Sequence, residues 1–131
     1  MAFPRSSPQF RDVALLLLRV AIAIIFLYHG LQKRGFWEGA PEGMSSTLVT
    51  IFKFLSIAEP LAGVSLLLGL LTQVGAIGIL CVMISAMYMK ISGGNDFSKW
   101  ELDFILFFAA LSIAIQGAGK YSLDAVIGER Q

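Results

Sequence analysis

The stretch FLSIAEPLAGVSLLLG, residues 54–69, sets a carboxylate, Glu59, and a helix-breaking Pro60 near the middle of an apolar run long enough to cross a bilayer. A charge centred there costs about 2.5–3.5 kcal/mol on insertion scales, so such residues usually have a partner and often a function. Arg19 is a second charge of this kind, inside the first apolar run. At 100° per residue, Arg19, Ile22, Ala23, Phe26, His29, Gly30 and Lys33 fall within an arc of about 120° on one helix. Phe52, Ser56, Glu59, Ala62, Gly63 and Leu66 share a face of the next. The glycines on these faces admit the close approach of another helix or a flat ligand. An acid at mid-depth with a histidine nearer the surface suits proton transfer. Glu59, His29 and Glu101 are therefore the candidate catalytic residues, and Arg19, Gly30, Lys33 and Gly63 the candidate ligand-binding residues.

Each of these has a plainer reading. Arg19 can snorkel to the nearer membrane surface, His29 can bond a neighbouring helix, and Lys33 and Lys90 can anchor the interface. Glu101 stands three residues after Ser98, the spacing of a capping box, and Asp103 is a helix N-terminal charge favoured by the dipole. A rise of about 1.5 Å per residue puts Arg19 and Glu59 roughly 9 Å apart in depth, within reach of long side chains, so a contact between them is expected. His29, Lys33, Lys90, Asp96, Glu101 and Asp103 are expected to ring a mouth above the Glu59 level, opening a polar cleft to mid-membrane. Met83, Met87 and Met89 read as packing residues rather than a copper site.

The elements that position these groups follow from composition. Hydrophobic residues make up 56% of the 131-residue chain and charged ones 15%, and the mean hydropathy is +0.76, a membrane composition. Helices are expected at about 13–31, 48–71, 74–91 and 99–117, each near the ~20 residues that span a hydrocarbon core. A short interfacial segment is expected at 122–128, capped by Ser122. Ser45, Ser46 or Thr47 is expected to cap the second helix. Backbone in lipid must satisfy its own hydrogen bonds, so the fold class is all-α, an integral membrane four-helix up-and-down bundle with one domain over 1–131. The chain ends then share one face, the terminal face, and the 32–47 and 92–100 connections lie on the other, the loop face. Arg5, Arg11, Lys120 and Arg130 on the first oppose Lys33, Arg34, Lys53, Lys90 and Lys99 on the second, so charge does not fix orientation. The first run is longer than a signal-peptide core and has no small-x-small cleavage site, so it reads as a helix of the mature protein.

The same composition excludes much chemistry. A net charge of +1 with no basic block argues against nucleic acid as a partner. One histidine cannot supply two haem ligands, and one cysteine, Cys81, cannot run a dithiol cycle. No glycine-rich dinucleotide motif follows a strand. No haem, flavin or metal is expected in this chain, and any redox cofactor is a diffusible quinone or belongs to a partner.

The segments LLLRVAIAIIFLYHGLQK at 16–33, AEPLAGVSLLLGLLTQVGA at 58–76 and WELDFILFFAALSIAIQGAGKYSLDAVI at 100–127 resemble the DoxX family of DoxX/DoxD-like membrane proteins. The shared patterns are an Arg before HG-x-x-K, a Glu before G-x-x-L-L-L-G-L-x-T, and a Glu-led helix ending in G-x-G-x-x-S-L-D. The resemblance implies a small bacterial or archaeal inner-membrane protein of four helices with cytoplasmic termini. Some such proteins are membrane subunits of thiosulfate:quinone oxidoreductase, and others associate with proteins of oxidative or thiol stress. It marks Arg19, His29, Gly30, Lys33, Glu59, Gly63, Glu101 and Asp124. A fold hosts more than one function, so three readings stand. The first is a membrane subunit of an oxidoreductase assembly, partnered by redox proteins and the lipid bilayer, that binds a quinone or similar apolar ligand. Arg19 and Glu59 form its polar floor, and His29 with Glu101 relays protons. The second is a structural or assembly subunit, and the third a small proton-coupled transporter.

Overall fold

The computed structural model describes residues 8–39 and 42–129; Arg5 and Arg130 of the charge count lie outside them. The order is α1 (Pro8–Lys33), a 3₁₀ turn at Arg34–Trp37, α2 (Ser46–Leu68), α3 (Thr72–Ser92), α4 (Phe97–Gln116) and α5 (Leu123–Glu129). The described residues form an all-α membrane bundle in which α1 packs chiefly on α2 and α3 chiefly on α4. The core is Ile22, Ala23 and Phe26 of α1, Leu66 of α2, Ala76, Ile79 and Met83 of α3, and Leu106, Ala110 and Ile113 of α4. Leu17, Ile24, Leu61, Val74, Ile105 and Ile115 are exposed, whereas Arg19, Glu59 and Asp103 are buried. A protein in water would reverse that arrangement, and lipid accounts for it.

Among the described residues, three helices, α1 from Gln9, α2 and α3, are long and apolar enough to cross a membrane. The fourth expected span, α4, has 20 residues but carries Lys99, Glu101 and Asp103 in its first two turns. Helix α4 begins at Phe97, two residues before the expected start, which already puts Ser98 inside the first turn. Its cap position is Asp96, whose carbonyl accepts from Lys99 N–H at 2.9 Å, and the Ser98–Glu101 capping box does not set the boundary. At α2, Ser45 is the cap: its hydroxyl accepts from Leu48 N–H at 3.2 Å.

Two features fix the α1–α2 pair. Gly30 lies against the ring of Pro60 so closely that a Cβ there would collide with it. Gly63 faces Ala23 and Leu27, with Ala23 O only 3.2 Å from the position of a Cβ. The α2–α3 turn is equally determined. Gly69 takes the left-handed conformation that ends α2 (φ 69°), and Leu71 follows it there (φ 51°), unusual for a residue with a side chain. The turn is held by Ser65, whose hydroxyl donates to Leu70 O at 2.6 Å, and by Asp124, whose carboxylate accepts from the N–H groups of Leu71 at 2.7 Å and Thr72 at 2.9 Å. Ser122 caps α5 by accepting from Ala125 N–H at 3.2 Å.

Candidate functional site

A cavity of about 530 Å³ lies between the helices on the loop-face side. Its walls are mostly apolar, among them Phe52 and Leu55 of α2 and Val82 and Met83 of α3. Beside His29, its charged groups converge from α1, α2, α3 and α4: Lys33, Glu59, Lys90 and Asp103. They form two ion pairs. Lys33 Nζ donates to Glu59 Oε2 at 3.0 Å, and Lys90 Nζ donates to Asp103 Oδ2 at 2.6 Å. Glu59 is 3% exposed and Asp103 4%. Each buried carboxylate thus has one ammonium partner, and without it the isolated charge would be prohibitive at this depth. His29 stands within electrostatic reach of all four charges.

Side-chain direction explains this pairing. Every Cα–Cβ bond of an α-helix tilts toward the helix N-terminus. Helices α1 and α3 run from the terminal face to the loop face, so Lys33 and Lys90, near their C-terminal ends, lean back into the membrane. Helices α2 and α4 run the other way, so Glu59 and Asp103 lean toward the loop face and meet them.

The same tilt carries Arg19 away from Glu59, and the expected contact between them is replaced. Arg19 is 1% exposed and reaches toward the terminal face. Its Nε donates to Leu66 O at 2.9 Å, and Nη1 donates to Ala118 O at 2.7 Å and Tyr121 O at 3.1 Å, with a longer contact from Nη2 to Leu67 O at 3.5 Å. These carbonyls include the unsatisfied C-terminal end of α2, where a cation is favoured by the helix dipole. Arg19 ties α1, the end of α2 and the 117–121 connection together, at the end of the bundle opposite the cavity. Asp124 stands nearby. Burial pushes its carboxyl up, but the Thr72 and Leu71 N–H groups, with Arg19, outweigh that and hold it below the ordinary carboxylate range.

Of the residues singled out from the sequence, the structure brings Glu59, His29 and Lys33 together in the cavity. Gly30 and Gly63 serve the α1–α2 contact rather than the cavity lining. Glu101 is exposed and, like Asp96, is not among the lining residues. Two residues further on, Asp103 is turned by about 200° and faces inward, so one helix cannot direct both acids to the cavity. Asp103, expected from the sequence at the mouth or as a helix N-terminal charge, is the second buried acid. Its signal was legible: Asp103, Leu106, Ala110 and Ile113 form one inward stripe at helical spacing.

The geometry can be set beside known proteins. Over 118 residues the chain is 28% identical to a Bacillus subtilis (strain 168) protein named "Putative oxidoreductase CatD", covering 88% of each. No solved structure matches the chain. The family model DoxX matches residues 14–91, from the first buried turns of α1 to the end of α3, and so takes in His29, Lys33, Glu59 and Lys90. By that match over more than half its length, the chain belongs to the DoxX family.

Proposed function

We propose that this protein is the membrane component of an oxidoreductase assembly and that its cavity receives the head of a quinone. The observation that carries the reading is an apolar chamber of about 530 Å³ into which two buried carboxylates and their lysines project. That volume lies in the roughly 300–1,000 Å³ range of small-molecule sites, and apolar walls with a few convergent polar groups are their usual make-up. The two lysines and two carboxylates cancel in formal charge, which favours a neutral polar head over an anionic or cationic one. The oxidoreductase name of the Bacillus subtilis relative supports the same class.

A quinone takes up two electrons and two protons on reduction. The electrons come from a redox partner outside this chain. Lys33 Nζ and Lys90 Nζ are the donors available to carbonyl oxygens, and Glu59 Oε2 and Asp103 Oδ2 are the positions at which protons are held beside them. His29, nearer the loop face, connects this pair of acids to that surface. Residence in a bacterial inner membrane with cytoplasmic termini belongs to the same proposal.

The test is titration of a decyl-tailed benzoquinone into the full chain in lipid nanodiscs. One site per chain is expected, weakened at least tenfold by Glu59→Gln and by Asp103→Asn, with helix content retained. Unchanged affinity in both variants would remove the site. Proton-driven substrate flux without quinone binding would instead favour a transporter, and neither would leave an assembly subunit.

A further inference from the structure

Several residues that line the cavity are also exposed on the outside of the bundle, and they form two facing rows. On α2 these are Ile51 and Phe54, the latter 67% exposed. On α3 they are Cys81, Ser85 and Met89, spaced four apart and therefore on one stripe. A residue that faces the cavity and the exterior at once marks an opening. The two helices are held close near their shared turn, where a Cβ on Gly75 would stand 2.7 Å from Ser65 Oγ. Beyond that contact lie the cavity-lining rows. The α3 row runs about 12 Å, from Cys81, roughly 13 Å along from Thr72 and so near mid-membrane, towards the loop face.

We infer that this cavity opens sideways into one leaflet of the bilayer through a slit between α2 and α3, and that its ligand is a lipid-borne amphiphile whose tail lies in that slit. The inference rests on the quinone reading for the nature of the head and adds the route and the tail. Three observations converge on it. The rim is mostly apolar: Ile51, Phe54, Cys81 and Met89 are side chains suited to acyl or isoprenoid chains, and the one hydroxyl among them, Ser85, donates to its own helix at Cys81 O. The slit begins at the depth of the bilayer core, where water is scarce and lipid is the adjoining phase. The polar groups are gathered at Lys33–Glu59 and Lys90–Asp103, so a head oriented to them has one apolar side on which to place its tail.

Cys81, the chain's single thiol, allows the slit to be narrowed after folding. The full chain is alkylated with a bulky maleimide in mild detergent, with complete modification of Cys81 checked by intact mass, and is then placed in nanodiscs and titrated with two probes, a decyl-tailed benzoquinone and the same ring without a tail. Cys81→Ser protein, treated identically, controls for modification elsewhere. The expected result is at least a tenfold loss of affinity for the tailed probe with less than a threefold change for the tailless one, and protection of Cys81 from alkylation by the bound tailed probe. Equal retention of both probes by alkylated protein would overturn the slit. So would equal loss of both, which would mean that the adduct fills the head chamber itself. If unmodified protein binds neither probe, the quinone reading fails and the slit with it, whereas binding that alkylation does not discriminate leaves that reading standing and removes only the slit.

Discussion

The contact of Gly30 with Pro60 determines how α1 meets the helix that carries Glu59, and it yields a prediction with a definite sign. Adding one methyl group by Gly30→Ala would drive a Cβ into the Pro60 ring and to 3.2 Å from its nitrogen. Overpacking of that kind costs about 1–3 kcal/mol. Against it stands the gain from replacing glycine by alanine inside a helix, about 0.8–1 kcal/mol. The net expectation is a loss of up to about 2 kcal/mol in the native background. Pro60→Ala removes the ring and also restores an N–H donor to the helix. In that background Gly30→Ala should be neutral or stabilising by up to about 1 kcal/mol. The four proteins of this cycle, compared by reversible unfolding in mixed micelles, should therefore show a coupling of about 1–3 kcal/mol. An identical effect of Gly30→Ala in both backgrounds would refute the contact and the register of α1 on α2 that depends on it.

Other expectations follow from the remaining buried groups. Arg19→Met would leave the carbonyls of Leu66, Ala118 and Tyr121 without their donor, and should lower stability by about 3 kcal/mol or more in the same unfolding assay, with Arg19→Lys recovering only part because one ammonium cannot reach all three. Asp124 has a lowered carboxyl pKa in the folded protein, so its stabilisation is complete above the unfolded value of about 3.9 and is lost as pH falls through the lower folded value. Wild type should accordingly lose more stability than Asp124→Asn as the pH is lowered from about 5 to 2, and parallel profiles would contradict the role of Asp124 at the start of α3.

The faces of the helices were readable from the sequence because periodicity alone decides them. Arg19, Ile22, Ala23, Phe26 and Gly30 are buried on the predicted stripe of α1, and Glu59, Gly63 and Leu66 on that of α2. Partners were harder to assign, since depth along a helix axis locates a Cα and not the end of a long side chain. Arg19 and Lys33 illustrate the difference: both lean toward the N-terminus of α1, which takes Arg19 out of reach of Glu59 and brings Lys33 into it. Glu101 and Asp103 are both expected at the mouth of the cleft, and the face that each takes on α4 separates them. Capping-box spacing and resemblance both drew attention to Glu101, whereas the apolar stripe of α4 passes through Asp103. The slit between α2 and α3 has no counterpart in a single-sequence pattern, because an exposed Phe54 or Cys81 in a membrane helix reads simply as lipid-facing.

The central claim is that the chamber holding Lys33–Glu59 and Lys90–Asp103 is a quinone site, and it is tested most directly by what the protein carries out of its own membrane. The full chain would be purified in a mild detergent, extracted with organic solvent, and its quinone quantified per chain by mass spectrometry beside Glu59→Gln and Asp103→Asn proteins prepared in the same way. Close to one quinone per chain in the native protein, with most of it lost from both variants, is the predicted result. Quinone at the level of bulk lipid in all three proteins would contradict the claim.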